Sequence, residues 1–239
     1  MKHIAILLAG GKGSRMNDKG MDKLLHPIKS TNAFQLCYRA FLGSSIIDNA
    51  VVVYRNTQQK DLLLKQIELA HINLKRAFNP ILVRGGIERK DSVANALANC
   101  PKTCNFVYVH DCARPMIQTK TINKLGTIVQ ETGAVVIAKP VNDTLKQIQK
   151  HKTDKSLTHC HTKSVDRSKL WIMETPQVSR KDWLEYGMKQ VKKEKVLTTD
   201  EVSVLELIGK KVSLLNPNYP NPKITSSADW PYIEFLLSK

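Results

Sequence analysis

The sequence predicts an α/β fold built on a doubly wound, mostly parallel, Rossmann-like sheet, and three observations lead there. Short continuous apolar runs alternate with stretches whose apolar residues recur at helical spacing, the pattern of parallel strands joined by right-handed crossovers. The first of these runs ends in a glycine-rich turn. The chain has 239 residues, 42% hydrophobic and 24% charged, with 11 Gly and 10 Pro. That size and composition suit one globular domain, residues 1–239, and exclude disordered, collagen-like and low-complexity classes.

Taken in order, Ile4–Ala9 is an unbroken apolar run closed by Gly10 and Gly11, so it reads as a strand buried on both faces. Phe34, Leu36, Cys37, Ala40 and Phe41 mark a helix over 34–42, and Val51–Tyr54 is the next strand. A helix over Leu62–Leu74, a short strand Ile81–Val83, a helix Ser92–Ala98 and a strand Phe106–Val109 ending at His110-Asp111 continue the alternation. A helix at Ile122–Glu131 and a strand at Ala134–Ala138 follow. Residues 141–168 then turn polar and lysine-rich, with Lys146, Lys150, Lys152, Lys155 and Lys163, and cannot build a core. They read as a projecting β-arm that packs on a second copy of the chain, making a homodimer. Thr175-Pro176-Gln177 reads as a stiff turn. Helices are expected at Lys181–Val191 and Asp200–Ile208, the latter capped by Thr198 or Thr199, then a strand Val212–Leu215 and a closing helix Ala228–Leu237.

Charge is the unusual feature. Thirty-seven Lys and Arg against 21 Asp and Glu give a net +16, a field that draws nucleotides, sugar phosphates, nucleic acids or anionic membranes alike. No apolar stretch approaches the ~20 residues of a membrane span, and no signal-like segment leads the chain, so the expected address is the cytoplasm. Five cysteines, an odd number, argue for reduced thiols. The spacing of Cys100, Cys104, His110 and Cys112 does not match paired zinc knuckles.

The stretch Leu8-Ala9-Gly10-Gly11-Lys12-Gly13-Ser14-Arg15-Met16 carries the most chemistry. Gly10, Gly11 and Gly13 let backbone N–H groups crowd phosphate oxygens without Cβ obstruction, and Lys12, Arg15 and Lys23 add positive charge to the same place. It is neither a P-loop nor a dinucleotide fingerprint, which needs a glycine where Met16 stands.

This stretch resembles the signature of nucleotidyltransferases that activate sugar and polyol phosphates, and further matches follow in register. They are Gly85-Gly86-x-Glu88-Arg89-x-Asp91-Ser92-Val93, His110-Asp111-x-Ala113-Arg114-Pro115, Pro140-Val141-x-Asp143-Thr144-Leu145-Lys146, Val165-Asp166-Arg167, Leu170-Trp171, Thr175-Pro176-Gln177, Thr199-Asp200-Glu201 and Lys223-Ile224-Thr225. Together they resemble the 2-C-methyl-D-erythritol 4-phosphate cytidylyltransferase family. The resemblance implies transfer of CMP from CTP to a polyol phosphate, with Arg15 and Lys23 on the triphosphate and Mg2+ held by Asp111. It implies Ala9, Gly86 and Ser92 around the cytosine, and Arg114, Thr144, Thr199, Lys223 and a partner-derived Arg167 around the acceptor. Arg15, Lys23, Arg167 and Lys223 are thereby the residues that carry the reaction, while Arg89 with Asp91 reads as a structural pair. Two positions depart from the family pattern: Ile87, where some members have an acid facing the base, and Pro222, where a branched apolar residue is common.

A ribitol 5-phosphate cytidylyltransferase shares the glycine turn, the His-Asp pair and Thr-Pro-Gln, but Val165-Asp166-Arg167 with Leu170-Trp171 favours the methylerythritol enzyme. A basic nucleic-acid-binding protein fits the charge alone, without a basic helix or an aromatic-interleaved sheet. An NADP-linked reductase using Arg55 fails on Met16. Nucleic acid and membrane are therefore not expected partners.

Overall fold

The structure, a computed structural model, describes residues 1–11, 22–72, 76–148, 152–153 and 158–239. Its elements run β1 (Lys2–Leu8), β2 (Pro27–Ile28), β3 (Thr31–Asn32), α1 (Ala33–Leu42), β4 (Asn49–Tyr54), α2 (Thr57–His71), β5 (Ile81–Arg84) and α3 (Arg89–Ala98). Then come β6 (Cys104–Asp111), α4 (Thr119–Thr132), β7 (Ala134–Pro140), β8 (Lys146–Ile148), β9 (Lys152–Thr153), β10 (Thr158–His159) and β11 (Thr162–Ser164). The chain closes with β12 (Trp171–Arg180), α5 (Lys181–Glu194), α6 (Glu201–Leu207), β13 (Ser213–Leu215) and α7 (Asp229–Leu236).

Seven strands form the central sheet in the order β13-β7-β12-β6-β1-β4-β5. β1 pairs in parallel with β4 and β6, β4 with β5, and β7 with β13, whereas β12 runs antiparallel to both of its neighbours. The expectation of a doubly wound, mostly parallel sheet is borne out, with one reversed strand at its heart.

Alternation along the strands sorts the core into two faces. Ala5 and Leu7 of β1 pack with residues of α1, α2, α4 and α7, while Ile4 and Ile6 pack with α3, α5 and α6. Each fully buried Leu, Ile or Phe in these layers contributes roughly 1.5–3 kcal/mol relative to exposure, and this burial holds the sheet rigid enough to aim side chains from its ends. Local signals set the helix starts: Asn32 Oδ1 accepts from the Gln35 N–H before α1, and Asn56 does the same for Gln59 before α2.

Two expectations change. Thr175-Pro176-Gln177 lies inside β12, where the register with β7 shifts between Met173 and Gln177. What read as a turn is a strand whose polar residues are buried. The cap of α6 is Asp200, whose carboxylate accepts from the Ser203 N–H at 3.0 Å, not Thr198 or Thr199, because Asp200 is the extended residue directly before the helix and so the one whose side chain reaches the third helical N–H.

Residues 141–168 leave the sheet between β7 and β12. Among the described residues of this segment β8 pairs antiparallel with β11, and β9 with β10. Leu145, Ile148, Trp171 and Ile172 at and beside its root are 36–50% exposed.

Candidate active site

The chain order β1, β4, β5 runs outward on one side of β1, and β6 then returns to the other side. The sheet order therefore reverses between β1 and β6, and open α/β sheets bind ligands at the carboxyl end of such a point. A cavity of about 520 Å³ opens there, lined among others by Gly10, Gly11, Lys23, Gly86, Asp111 and Lys223.

Two pieces of local geometry shape its walls. At Gly86 a Cβ would stand 2.2 Å from Asp91 Cβ, so only glycine allows the loop before α3 to fold back on that helix. The Gly86 N–H donates to Ser92 Oγ at 3.0 Å, and the Ser92 hydroxyl donates to Glu88 O at 3.2 Å. On the opposite wall Gln59 donates to Ala9 O (2.9 Å) and to Asp22 Oδ2 (2.5 Å). Arg55 spans Gly11 O (2.9 Å) and Asp22 Oδ2 (3.1 Å). These two side chains clasp both flanks of the glycine-rich segment, and Ala9 is buried behind the cavity wall.

Asp111, the last residue of β6, is the electrostatic centre. Its Oδ1 takes Arg89 Nε at 3.1 Å and its Oδ2 takes Lys223 Nζ at 2.5 Å. Burial works to raise the Asp111 carboxyl's pKa, but the two cations override it and hold the group well below the usual carboxylate range. Arg89 turns its fork to Glu201, Nη1 to Oε1 at 2.6 Å and Nη2 to Oε2 at 2.9 Å. Burial pushes the Glu201 carboxyl up against the pull of that bidentate pair. The expected Arg89–Asp91 pair is thus replaced: Asp91 accepts from the Glu88 N–H (3.0 Å), and Arg89 ties α3 to β6 and α6.

Beneath Asp111 a hydrogen-bond relay fixes the strand ends. The Asp111 N–H donates to Thr175 Oγ1 (3.1 Å), whose hydroxyl meets His110 Nδ1 (3.1 Å), while His110 Nε2 lies 3.2 Å from Arg114 O. A carbonyl only accepts, so His110 Nε2 carries a proton and donates to it. Ile224 N donates to Ala113 O (2.8 Å), docking the loop that carries Lys223. Pro222 does not prevent that delivery.

The structure gathers Gly10, Gly11, Lys23, Gly86, Ser92, Asp111 and Lys223 around one cavity. Arg114 stands beside it, bonded through Nη1 to Asn221 O at 2.8 Å. Thr199 lines a small adjoining pocket with Arg89 and Glu201. Thr144 is exposed in the approach to the arm, and Arg167 bonds the Asn142 carbonyl there; neither lines the cavity of its own chain. Gly13 and Arg15 lie outside the described residues. Arg55, Arg84 and Arg89 also line the cavity and were not among the expected nucleotide-binding residues. The signal for the first two was their place, just past or at the end of a strand on the same edge as Asp111.

Comparison with known proteins agrees with this geometry. The family model IspD, 2-C-methyl-D-erythritol 4-phosphate cytidylyltransferase, matches residues 3–239. A protein of that name from Dictyoglomus thermophilum is 32% identical over 239 residues, covering 100% of this chain and 97% of the relative. Another from Bacillus velezensis is 30% identical over 238 residues, covering 99% and 96%. Among solved structures, 4-diphosphocytidyl-2C-methyl-D-erythritol synthase from Anaerococcus prevotii superposes with a TM-score of 0.80 at 20% identity, covering 100% and 96% of the two chains. The Francisella tularensis 2-C-methyl-D-erythritol 4-phosphate cytidylyltransferase does so at 0.75 and 23%, covering 98% and 99%. These structures share the fold of this chain. With the family matched from residue 3 to residue 239, the chain belongs to the 2-C-methyl-D-erythritol 4-phosphate cytidylyltransferase family.

Proposed function

We propose that this chain transfers CMP from CTP to 2-C-methyl-D-erythritol 4-phosphate, releasing pyrophosphate and forming CDP-methylerythritol. The observation that carries the reading is the convergence of Lys23, Arg89 and Lys223 on a cavity with Asp111 at a sheet switch point. In the reaction an acceptor phosphate oxygen bonds to the α-phosphorus as the bond to the β-phosphate bridging oxygen breaks, and no protein nucleophile is needed. The protein's task is to hold two anions together and to neutralise charge on a five-coordinate phosphorus. Lys23 with Arg15 serves the triphosphate, the Gly86 and Ser92 wall faces the base, and Lys223 stands between the nucleotide and an acceptor held by Arg114 and Thr199.

Asp111 fits a magnesium ion. Its carboxylate lines the cavity and is held ionised by the cations beside it. Such a carboxylate suits a Mg2+ that takes its other ligands from phosphates and water. Bound there, the ion would supply charge neutralisation on the triphosphate. Lys223, which stands at Oδ2, would serve the phosphates beside it.

The arm reads as the contact of a two-fold homodimer, in which Arg167 reaches the neighbouring site. The exposed Leu145, Ile148, Trp171 and Ile172 at its root support this, since a second copy would cover them. No helix among the described residues is long and apolar enough to cross a membrane, and the reading places the enzyme in the cytoplasm. Pyrophosphate release from CTP and Mg2+ with methylerythritol phosphate, but not without an acceptor, tests the reading; CTP breakdown independent of acceptor contradicts it.

A further inference from the structure

Behind Arg114 lies a charged cluster that the proposed reaction does not yet use. Val135 and Ile137 of β7 point into the core, so the alternation of the strand brings Lys139 to the same face, one step nearer the cavity end of the sheet. There it meets Glu174 of β12, a carboxylate only 3% exposed. Glu174 Oε1 takes Lys139 Nζ at 2.6 Å, Oε2 takes Asn221 Nδ2 at 2.9 Å, and Arg114 Nη1 stands 3.9 Å from Oε2. A buried carboxylate with its cations gains little or nothing in stability over apolar residues of like volume, so packing alone does not account for it.

The donors around it are not used up. An ammonium has three N–H groups. Glu174 takes one from Lys139, whose side chain remains 35% exposed. Arg114 Nε is buried and has no hydrogen-bond partner among the described residues. Two cations sharing one anion leave a net single positive charge, and the shared carboxylate keeps them from repelling one another while the site is empty.

We infer that Lys139 is a further acceptor-binding residue, which with Arg114 makes a two-cation seat for the phosphate of the polyol phosphate, Glu174 being the counter-ion that positions both. This rests on the reading of Arg114 as an acceptor ligand. A phosphate monoester dianion suits the seat, because it carries three oxygens and can accept from both cations at once.

The test is Lys139→Met, with Lys139→Arg as the conservative control and Lys139→Gln held to the same criterion should the Met variant not fold. In steady state, K139M raises KM for methylerythritol phosphate by about 10- to 100-fold, the scale of a lost charge-assisted hydrogen bond, leaves KM for CTP within about twofold, and K139R recovers most of the loss. An unchanged acceptor KM, or equal rises in both KM values, overturns the inference. Binding of inorganic phosphate with the nucleotide site filled by CTP gives a reading independent of turnover. Weaker phosphate binding by K139M than by wild type supports the seat even if wild type fails to use methylerythritol phosphate, an outcome that would sink the functional reading alone. Equal phosphate binding by the two proteins rejects the seat.

Discussion

Lys223 Nζ lies 2.5 Å from Asp111 Oδ2 although the two residues are 112 positions apart in the chain. The sheet end supplies the carboxylate, and a loop docked by Ile224 on Ala113 supplies the cation. If Asp111 is the metal ligand, Asp111→Asn should raise the Mg2+ concentration for half-maximal activity, because a neutral amide is a poorer ligand for a hard cation. An unchanged Mg2+ dependence would move the metal elsewhere. The same variant has a stability signature. A carboxyl with a lowered folded-state pKa contributes stability above its unfolded value, near 4, and loses it as pH falls toward the folded value. The stability gap between wild type and D111N should therefore be full at neutral pH and narrow as the solution is acidified below about pH 4; urea titrations across that range measure it.

Glu201 is a second leverage point. Its bidentate pair with Arg89 links α3, which carries the Gly86 wall, to α6, which follows Thr199. Glu201→Gln removes the bidentate counter-charge of the guanidinium and leaves it Asp111 Oδ1 at 3.1 Å. Breaking a buried pair costs about 3–5 kcal/mol, and with Arg89 30% exposed the lower end applies. A urea midpoint indistinguishable from wild type would mean that the link is not structural.

Much of the scaffold was legible because its strands are buried on both faces and read as unbroken apolar runs, as in Ile4–Ala9 and Val51–Tyr54. β12 was not legible, for a physical reason. Glu174, Thr175, Gln177 and Ser179 are buried polar residues, the first three satisfied from other elements by Lys139, Asn221, His110 and Asp200. Hydropathy cannot register partners that only the fold brings near. Glu201 hid likewise: at the start of a helix it reads as a complement to the helix dipole, and only α3 packing nearby reveals it as the anchor of Arg89. Lys23, Asp111 and Lys223 were legible by motif, and the resemblance put them at one site; the ion pair of Asp111 with Lys223 was not legible.

Lys23 lines the cavity and also reaches the Ile224 carbonyl at 3.4 Å. If it stabilises charge that grows in the transition state, Lys23→Ala should lower turnover by about 10²–10³-fold, the scale of one preorganised electrostatic contact, with the circular dichroism spectrum unchanged. Near-normal turnover in the folded variant would remove Lys23 from the reaction.

The arm makes a prediction that depends on the dimer. Arg167→Ala should impair use of the polyol phosphate while CTP affinity holds, because the triphosphate is bound within one chain. Mixing K23A with R167A gives mixed dimers in which one site has both residues intact. Activity approaching half of wild type per mixed dimer is expected, and no recovery after demonstrated subunit exchange would mean that Arg167 serves its own chain or none.

Acceptor choice is measured by a competition. The purified chain is given CTP, Mg2+ and equal concentrations of 2-C-methyl-D-erythritol 4-phosphate and ribitol 5-phosphate, and the CDP-alcohol formed is identified by mass. CDP-methylerythritol as the dominant product, with pyrophosphate in equal amount, is the predicted result; CDP-ribitol in excess, or no CDP-alcohol from a folded protein, would contradict it.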